Sequence, residues 1–113
     1  MKLPNSHKAS ISKRKITAYL LSLTHEEGKS KAKFFRGIGF NETNIDKFEQ
    51  ALLKIGKSNK VMRVDKTKSE YVVKYIIEGF IDSPKGKRYK ITTVWAIKTE
   101  NTTPQLVSAY PGV

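Results

Sequence analysis

The sequence contains no cysteine, which removes disulfides, thiol nucleophiles and thiolate metal sites together and suits a reducing, cytoplasmic setting. Histidine is nearly as scarce. His7 and His25 stand far apart, and no carboxylate cluster has metal-ligand spacing, so neither a metal centre nor a cofactor is expected. Gly37 and Gly39 follow a predicted helix instead of joining a strand to one, so no phosphate-cradling glycine loop is present. There is also no serine-centred elbow and no pair of carboxylates in a shared motif. Long apolar runs are missing too: the opening Met1-Lys2-Leu3-Pro4-Asn5-Ser6 is unlike a signal peptide, and Lys74 interrupts the most apolar stretch well short of membrane-spanning length. These absences exclude most familiar enzyme classes and predict a soluble chain without an export signal.

Acidic residues are outnumbered, with ten Asp and Glu against 22 Lys and Arg, for a net charge of +12. The excess is concentrated early: residues 1–36 hold nine basic residues and only Glu26 and Glu27 against them. Such a charge favours a polyanionic partner, and nucleic acid leads, because neutralising phosphates releases counterions without any sequence readout. A Lys-rich solvated surface is the plainer alternative. A membrane surface ranks below both, since no helix pairs a basic face with a Trp/Phe/Leu face.

The 113 residues, 38% of them apolar, suit one domain spanning 1–113. Pro4, Asn5, Ser6 and Ser10 make residues 1–10 an extended lead-in. Ile16, Tyr19, Leu20 and Leu23 then recur at helical spacing, predicting a first helix over about Ser12–Leu23 with Lys13, Arg14 and Lys15 on its exposed first turn. A second, short helix is expected over Lys29–Ile38. A third, capped by Asn41, carries Ile45, Phe48, Leu52 and Ile55 on one stripe and stops at Gly56.

Beyond Lys57-Ser58-Asn59 the period falls from near 3.6 to 2. Strands are expected over Lys60–Asp65, Glu70–Gly79, Arg88–Lys98 and Gln105–Tyr110, with a strong turn at Ser83-Pro84-Lys85-Gly86 and a weaker one at Asn101-Thr102-Thr103-Pro104. Short connections imply an antiparallel meander. The expected class is therefore α+β, about three N-terminal helices followed by a four-stranded antiparallel sheet. On the third strand Tyr89, Ile91, Thr93, Trp95 and Ile97 share a face, and on the last Ser108 and Tyr110 share one with Leu106. These hydroxyls either build a site or simply suit strands.

One stretch concentrates the chemistry. His25-Glu26-Glu27-Gly28-Lys29-Ser30-Lys31-Ala32-Lys33-Phe34-Phe35 joins a histidine, a glycine and three lysines to an apolar anchor, a composition suited to phosphate. RNA carries its own nucleophile, the 2′-hydroxyl, so its cleavage needs only a base, an acid and positive charge on the phosphorane. His25, titrating near neutrality, and Lys31, early in a helix, could supply these. In the plainer reading His25 bonds the end of the first helix and Lys31 is a solvated lysine, while Trp95, Tyr71, Tyr75 and Tyr110 pack the sheet instead of stacking on bases.

Leu3-Pro4-Asn5, Tyr19-Leu20-Leu21, His25 with Gly28, Lys31, Ala32 and Phe35, Gly39-Phe40, Thr93-Val94-Trp95 and Leu106-Val107 with Tyr110-Pro111 together resemble a bacterial family of uncharacterised short domains, over nearly the whole chain. Such domains are similar to stand-alone toxins or to the C-terminal toxic modules of larger ones. Their layout is similar to the metal-independent ribonuclease superfamily that includes barnase, EndoU and RelE. The chain departs from the pattern at Glu26, where proline often follows the histidine, and at Ser108, where threonine often stands. The resemblance implies His25 and Lys31 as catalytic residues, with Thr93, Ser108 and Tyr110 as further candidates. Lys13, Arg14, Lys15, Lys29, Lys33 and Trp95 would then contact RNA. It also implies an acidic antitoxin or immunity protein that neutralises the toxin. The alternative is a non-catalytic basic module that binds nucleic acid or an acidic protein.

Overall fold

A computed structural model describes residues 1–66 and 71–112. Helical segments precede a four-stranded antiparallel sheet in the order β1-β2-β3-β4, an α+β arrangement. The expectation of about three N-terminal helices is corrected, because among the described residues only two helices longer than one turn form, α2 (Lys29–Gly37) and α3 (Ile45–Ser58). Before them come a 3-10 turn at Ser6–Lys8, a single α-turn, α1 (Lys13–Lys15), and a π-helical segment at Ile16–Leu20.

The predicted helix over Ser12–Leu23 fails for a local reason. Ser12 caps α1, its Oγ accepting from the Lys15 amide at 3.0 Å. Thr17 Oγ1 then donates to the Lys13 carbonyl at 3.1 Å, a back-bond that loosens a helix. The chain widens into the π segment, closed by the Leu21 amide on the Ile16 carbonyl at 2.9 Å. Leu23, assigned to the apolar stripe, is exposed. Asn41 does not cap α3 either: its Oδ1 accepts from the Thr43 amide at 2.8 Å, forming a turn that delays the helix to Ile45.

The core lies between α3, the π segment, α2 and one face of the sheet, with Phe35, Phe48, Leu52, Ile77, Ile91 and Trp95 fully buried. Each such side chain contributes roughly 1.5–3 kcal/mol on leaving water. Gly56 is a packing residue of α3 instead of its stop. A Cβ there would stand 2.5 Å from Trp95 Cζ2, so glycine lets the helix backbone rest on the indole.

β1 is short, Arg63–Asp65, because the amide of Val61 turns aside to the Met1 carbonyl at 2.7 Å. β2 runs Val72–Asp82, beyond the predicted end, since it pairs with β3 (Arg88–Lys98) as far as Asp82 opposite Arg88. Glu70, the predicted start of that strand, lies outside the described residues. Gly86, at φ 86°, closes the expected turn with its amide on the Ser83 carbonyl at 2.9 Å. β4 runs Asn101–Pro111, so the weaker predicted turn is in fact strand and the reversal falls at Thr99 and Glu100.

Two irregularities in the β3–β4 pairing redirect side chains. Trp95 faces Leu106 but Val94 faces Ser108, which leaves Val107 as a bulge. Ser108 and Tyr110 consequently pair with Val94 and Thr92, positions that alternate with the face bearing Thr93 and Trp95, and not in line with Leu106 as the period-2 reading had it. The outer edge of β4 is partly covered by the lead-in, with Ser10 in a parallel bridge to Gln105.

Candidate functional site

The site is assembled around a residue that sequence reasoning left in the core. Tyr19 sits in the π segment, half-buried, and its hydroxyl oxygen lies 2.5 Å from Lys31 Nζ on α2 and 3.3 Å from Ser108 Oγ on β4. Its ring meets the His25 imidazole edge-on, 4.9 Å between centroids. The Lys15 ammonium stands 4.8 Å from the Tyr19 ring centroid, where an aromatic ring attracts cations, while that of Lys31, 4.9 Å from the centroid, lies out beyond the hydroxyl it bonds. A tyrosine, a histidine, two lysines and a serine from four separate stretches therefore converge.

Local structure explains the convergence. Gly28 is buried against the π segment, and a Cβ on it would lie 2.5 Å from the Tyr19 carbonyl oxygen. The same residue's amide donates to His25 Nδ1 at 3.0 Å, and the Glu27 amide donates to that nitrogen at 3.1 Å. With Nδ1 used as an acceptor, the proton of the neutral ring sits on Nε2. His25 thus bonds backbone just before α2, not at the end of the first helix as the plainer reading had it, and its other nitrogen remains to donate. Arg36 fixes the frame from behind: Nε donates to the Leu21 carbonyl at 2.8 Å and the guanidinium forks onto Glu42.

Electrostatics at Tyr19 favour its ionised form. Burial pushes its phenol up, but the hydrogen bonds from Lys31 and Ser108 and the charges of Lys31 and Lys15 outweigh that and hold it below the usual 10. A cleft of about 350 Å³ opens beside it, lined by Ser12, Arg14, Lys15, Ala18, Tyr19 and His25. Phosphate entering there meets two cations and the imidazole.

The structure divides the residues singled out from the sequence. His25, Lys31 and Ser108 come together at Tyr19, and Arg14 and Lys15 line the adjoining cleft. Thr93 and Trp95 are elsewhere: both are fully buried, with Thr93 Oγ1 donating to the Ile77 carbonyl at 2.8 Å and accepting from Trp95 Nε1 at 2.8 Å. Thr93 is the polar member of an apolar stripe because it satisfies an indole N–H and a strand carbonyl together. Both therefore lie inside the core, with no surface open to a ligand in the folded chain. Tyr110 is half-buried opposite Thr92, two residues beyond Ser108. Lys13 pairs with Asp46 at 2.8 Å, beside α3, while Lys29 and Lys33 are exposed on α2 and line neither wall of the cleft.

The missed residue, Tyr19, left one usable signal. Lys15 and Tyr19 are four apart, a spacing that puts a cation over an aromatic ring on one helical face. Among the described residues no group of three or more His, Asp or Glu could hold a metal ion, and no helix is long and apolar enough to cross a membrane.

The fold has a solved counterpart. A chain of the contact-dependent growth inhibition toxin–immunity protein complex from Klebsiella pneumoniae 342 superposes with a TM-score of 0.71, covering 96% of this chain and 97% of that one at 12% identity. No protein of curated function matches the sequence. A family model does match, across residues 2–113, and on that match the chain belongs to the family described as a domain of unknown function, DUF6883.

Proposed function

We propose that this chain is the toxic domain of a bacterial toxin–immunity pair and cleaves RNA by metal-independent transesterification. The observation that carries the reading is the Tyr19 hydroxyl held 2.5 Å from Lys31 Nζ, against His25 and at the wall of a basic cleft. Tyr19, as phenolate, takes the proton of a substrate 2′-hydroxyl, and the 2′-oxygen attacks the adjacent phosphorus. Charge on the phosphorane oxygens is met by His25 Nε2–H, Lys15 and Arg14. The P–O5′ bond breaks, the departing oxygen takes a proton from the Lys31 ammonium, and the Tyr19 phenol returns that proton to the Lys31 amine across their hydrogen bond. The products are a 2′,3′-cyclic phosphate and a 5′-hydroxyl.

The likeness to a chain of a toxin–immunity complex supports a protein partner, and the charge of +12 supports an acidic one that covers the cleft. The layout, helices before a four-stranded antiparallel sheet, is compatible with the barnase, EndoU and RelE superfamily, and the site of action would be the cytoplasm of a target cell. The test is incubation of purified protein with total RNA in excess EDTA, beside Tyr19→Phe and His25→Ala, with the new ends mapped. Cleavage by the wild type alone, leaving cyclic phosphate ends, is the expected result. RNA left intact by the wild type would overturn the reading.

A further inference from the structure

A second cleft, of about 370 Å³, opens where the lead-in crosses the β3–β4 hairpin, and it shares Ser12 and Lys15 with the cleft at Tyr19. The two clefts adjoin at these residues. The parallel bridge from Ser10 to Gln105 lays the lead-in along β4, and Val107, the bulge residue of that strand, lines the cleft. Its lining combines the apolar Ile11, Ala96 and Leu106 with Lys15, Lys98 and the exposed Gln105. Its volume falls in the range of roughly 300–1,000 Å³ usual for small-ligand sites.

Resting on the reading above, we propose that this second cleft is a nucleotide subsite. It takes the base adjoining the phosphate cut at Tyr19, with the Gln105 amide meeting the base edge and Lys98 the next phosphate out. Its apolar lining residues suit the face of a base, and its two lysines, Lys15 and Lys98, match the phosphates that flank one nucleoside. A carboxylamide both donates and accepts, as a base edge requires. A base can enter such a slot only when unstacked, so the substrate is single-stranded or a loop, and it extends at least one nucleotide beyond the scissile bond.

The experiment is an amide NMR titration of the full chain with a short 2′-O-methyl RNA, which lacks the attacking hydroxyl and stays intact, repeated with Gln105→Ala and Lys98→Ala. Shifts at Ala96, Lys98 and Gln105 together with His25, and affinity reduced roughly tenfold by the uncharged Gln105→Ala change, are expected. Shifts confined to Tyr19 and His25, with affinity unchanged in both variants, would overturn the subsite and leave the ribonuclease reading standing. Shifts at Lys98 and Gln105 in a protein that cuts no RNA would keep the subsite and remove the catalysis. Absence of shifts in either cleft, with binding only to an acidic protein, would overturn the subsite and make the groove a protein-docking surface.

Discussion

Gly28 and Tyr19 are packed so tightly that the position of one determines the position of the other. The glycine's Cα hydrogen points where a Cβ would be 2.5 Å from the Tyr19 carbonyl and 3.1 Å from its Cδ1. Gly28→Ala must therefore push the π segment away from α2 and lengthen the bond between Tyr19 and Lys31. The expected outcome is a loss of RNA cleavage of roughly 10²-fold, the scale on which misplacing a reacting group by about 1 Å is felt. Overpacking should cost about 1–3 kcal/mol in a denaturant melt. Full activity in a folded Gly28→Ala protein would mean that Tyr19 is not where the chemistry occurs.

Tyr19→Phe removes only the hydroxyl. Cleavage is expected to fall by roughly 10²–10⁴-fold, the usual contribution of a positioned proton-transfer group, while the circular dichroism spectrum stays as it was. His25→Ala should weaken cleavage through lost charge stabilisation and also raise backbone mobility at Glu27 and Gly28, whose amides it accepts.

The pH dependence follows from the same pair. The Tyr19 phenol lies below its ordinary 10 because Lys31 and Ser108 bond it and Lys31 and Lys15 carry positive charge nearby, against the opposing effect of burial. On the proposed mechanism the active phenolate forms as pH rises, so the cleavage rate should climb with pH, with its midpoint below 10. Lys31→Met should move that climb to higher pH. A rate profile that kept its midpoint in Lys31→Met would assign the titration to another group.

Thr93→Val tests whether the buried threonine is structural. The indole N–H of Trp95 would lose its acceptor in a fully buried setting, at a cost of about 1–3 kcal/mol. Cleavage by the folded fraction should be unchanged at low temperature. A selective loss of turnover without a change in melting would return Thr93 to the site.

Glu42 offers a test of the frame behind the site. The Arg36 guanidinium, above all through its hydrogen bond, and a backbone bond hold its carboxyl down to about 2, from an ordinary 4.5. A depressed carboxylate stabilises the fold above its unfolded value and loses that contribution as pH falls through its folded one. Glu42→Gln should therefore melt below the wild type at pH 7, and the two curves should converge between about pH 4.5 and 2. Both partners reach solvent, so the gap should be small.

Local chemistry made part of this site legible. His25, Gly28 and Lys31 lie within seven residues, and a helix starting at Lys29 places the lysine one turn in, so their proximity follows from sequence spacing alone. Ser12 as a cap is equally local. What could not be read is what depends on distant partners or on departures from ideal period. Tyr19 looked like a core residue because its stripe assumed 3.6 residues per turn, whereas the π segment swings its hydroxyl toward β4. Ser108 was assigned a face by counting in twos, and one bulge at Val107 reversed it. Trp95 as a base-stacking platform ignored Gly56, 39 positions away, whose missing side chain is filled by the indole.

The parallel bridge between Ser10 and Gln105 carries a consequence for recognition. The Ser10 amide and carbonyl already occupy the Pro104 carbonyl at 3.0 Å and the Leu106 amide at 3.2 Å. At that point the sheet cannot be extended by an incoming strand, which is the route by which a partner recognises main chain whatever its sequence. Any inhibitor seated over this end of the groove must instead read side chains such as Lys15, Lys98 and Gln105. A few surface substitutions on either protein would then be enough to break one pairing and establish another.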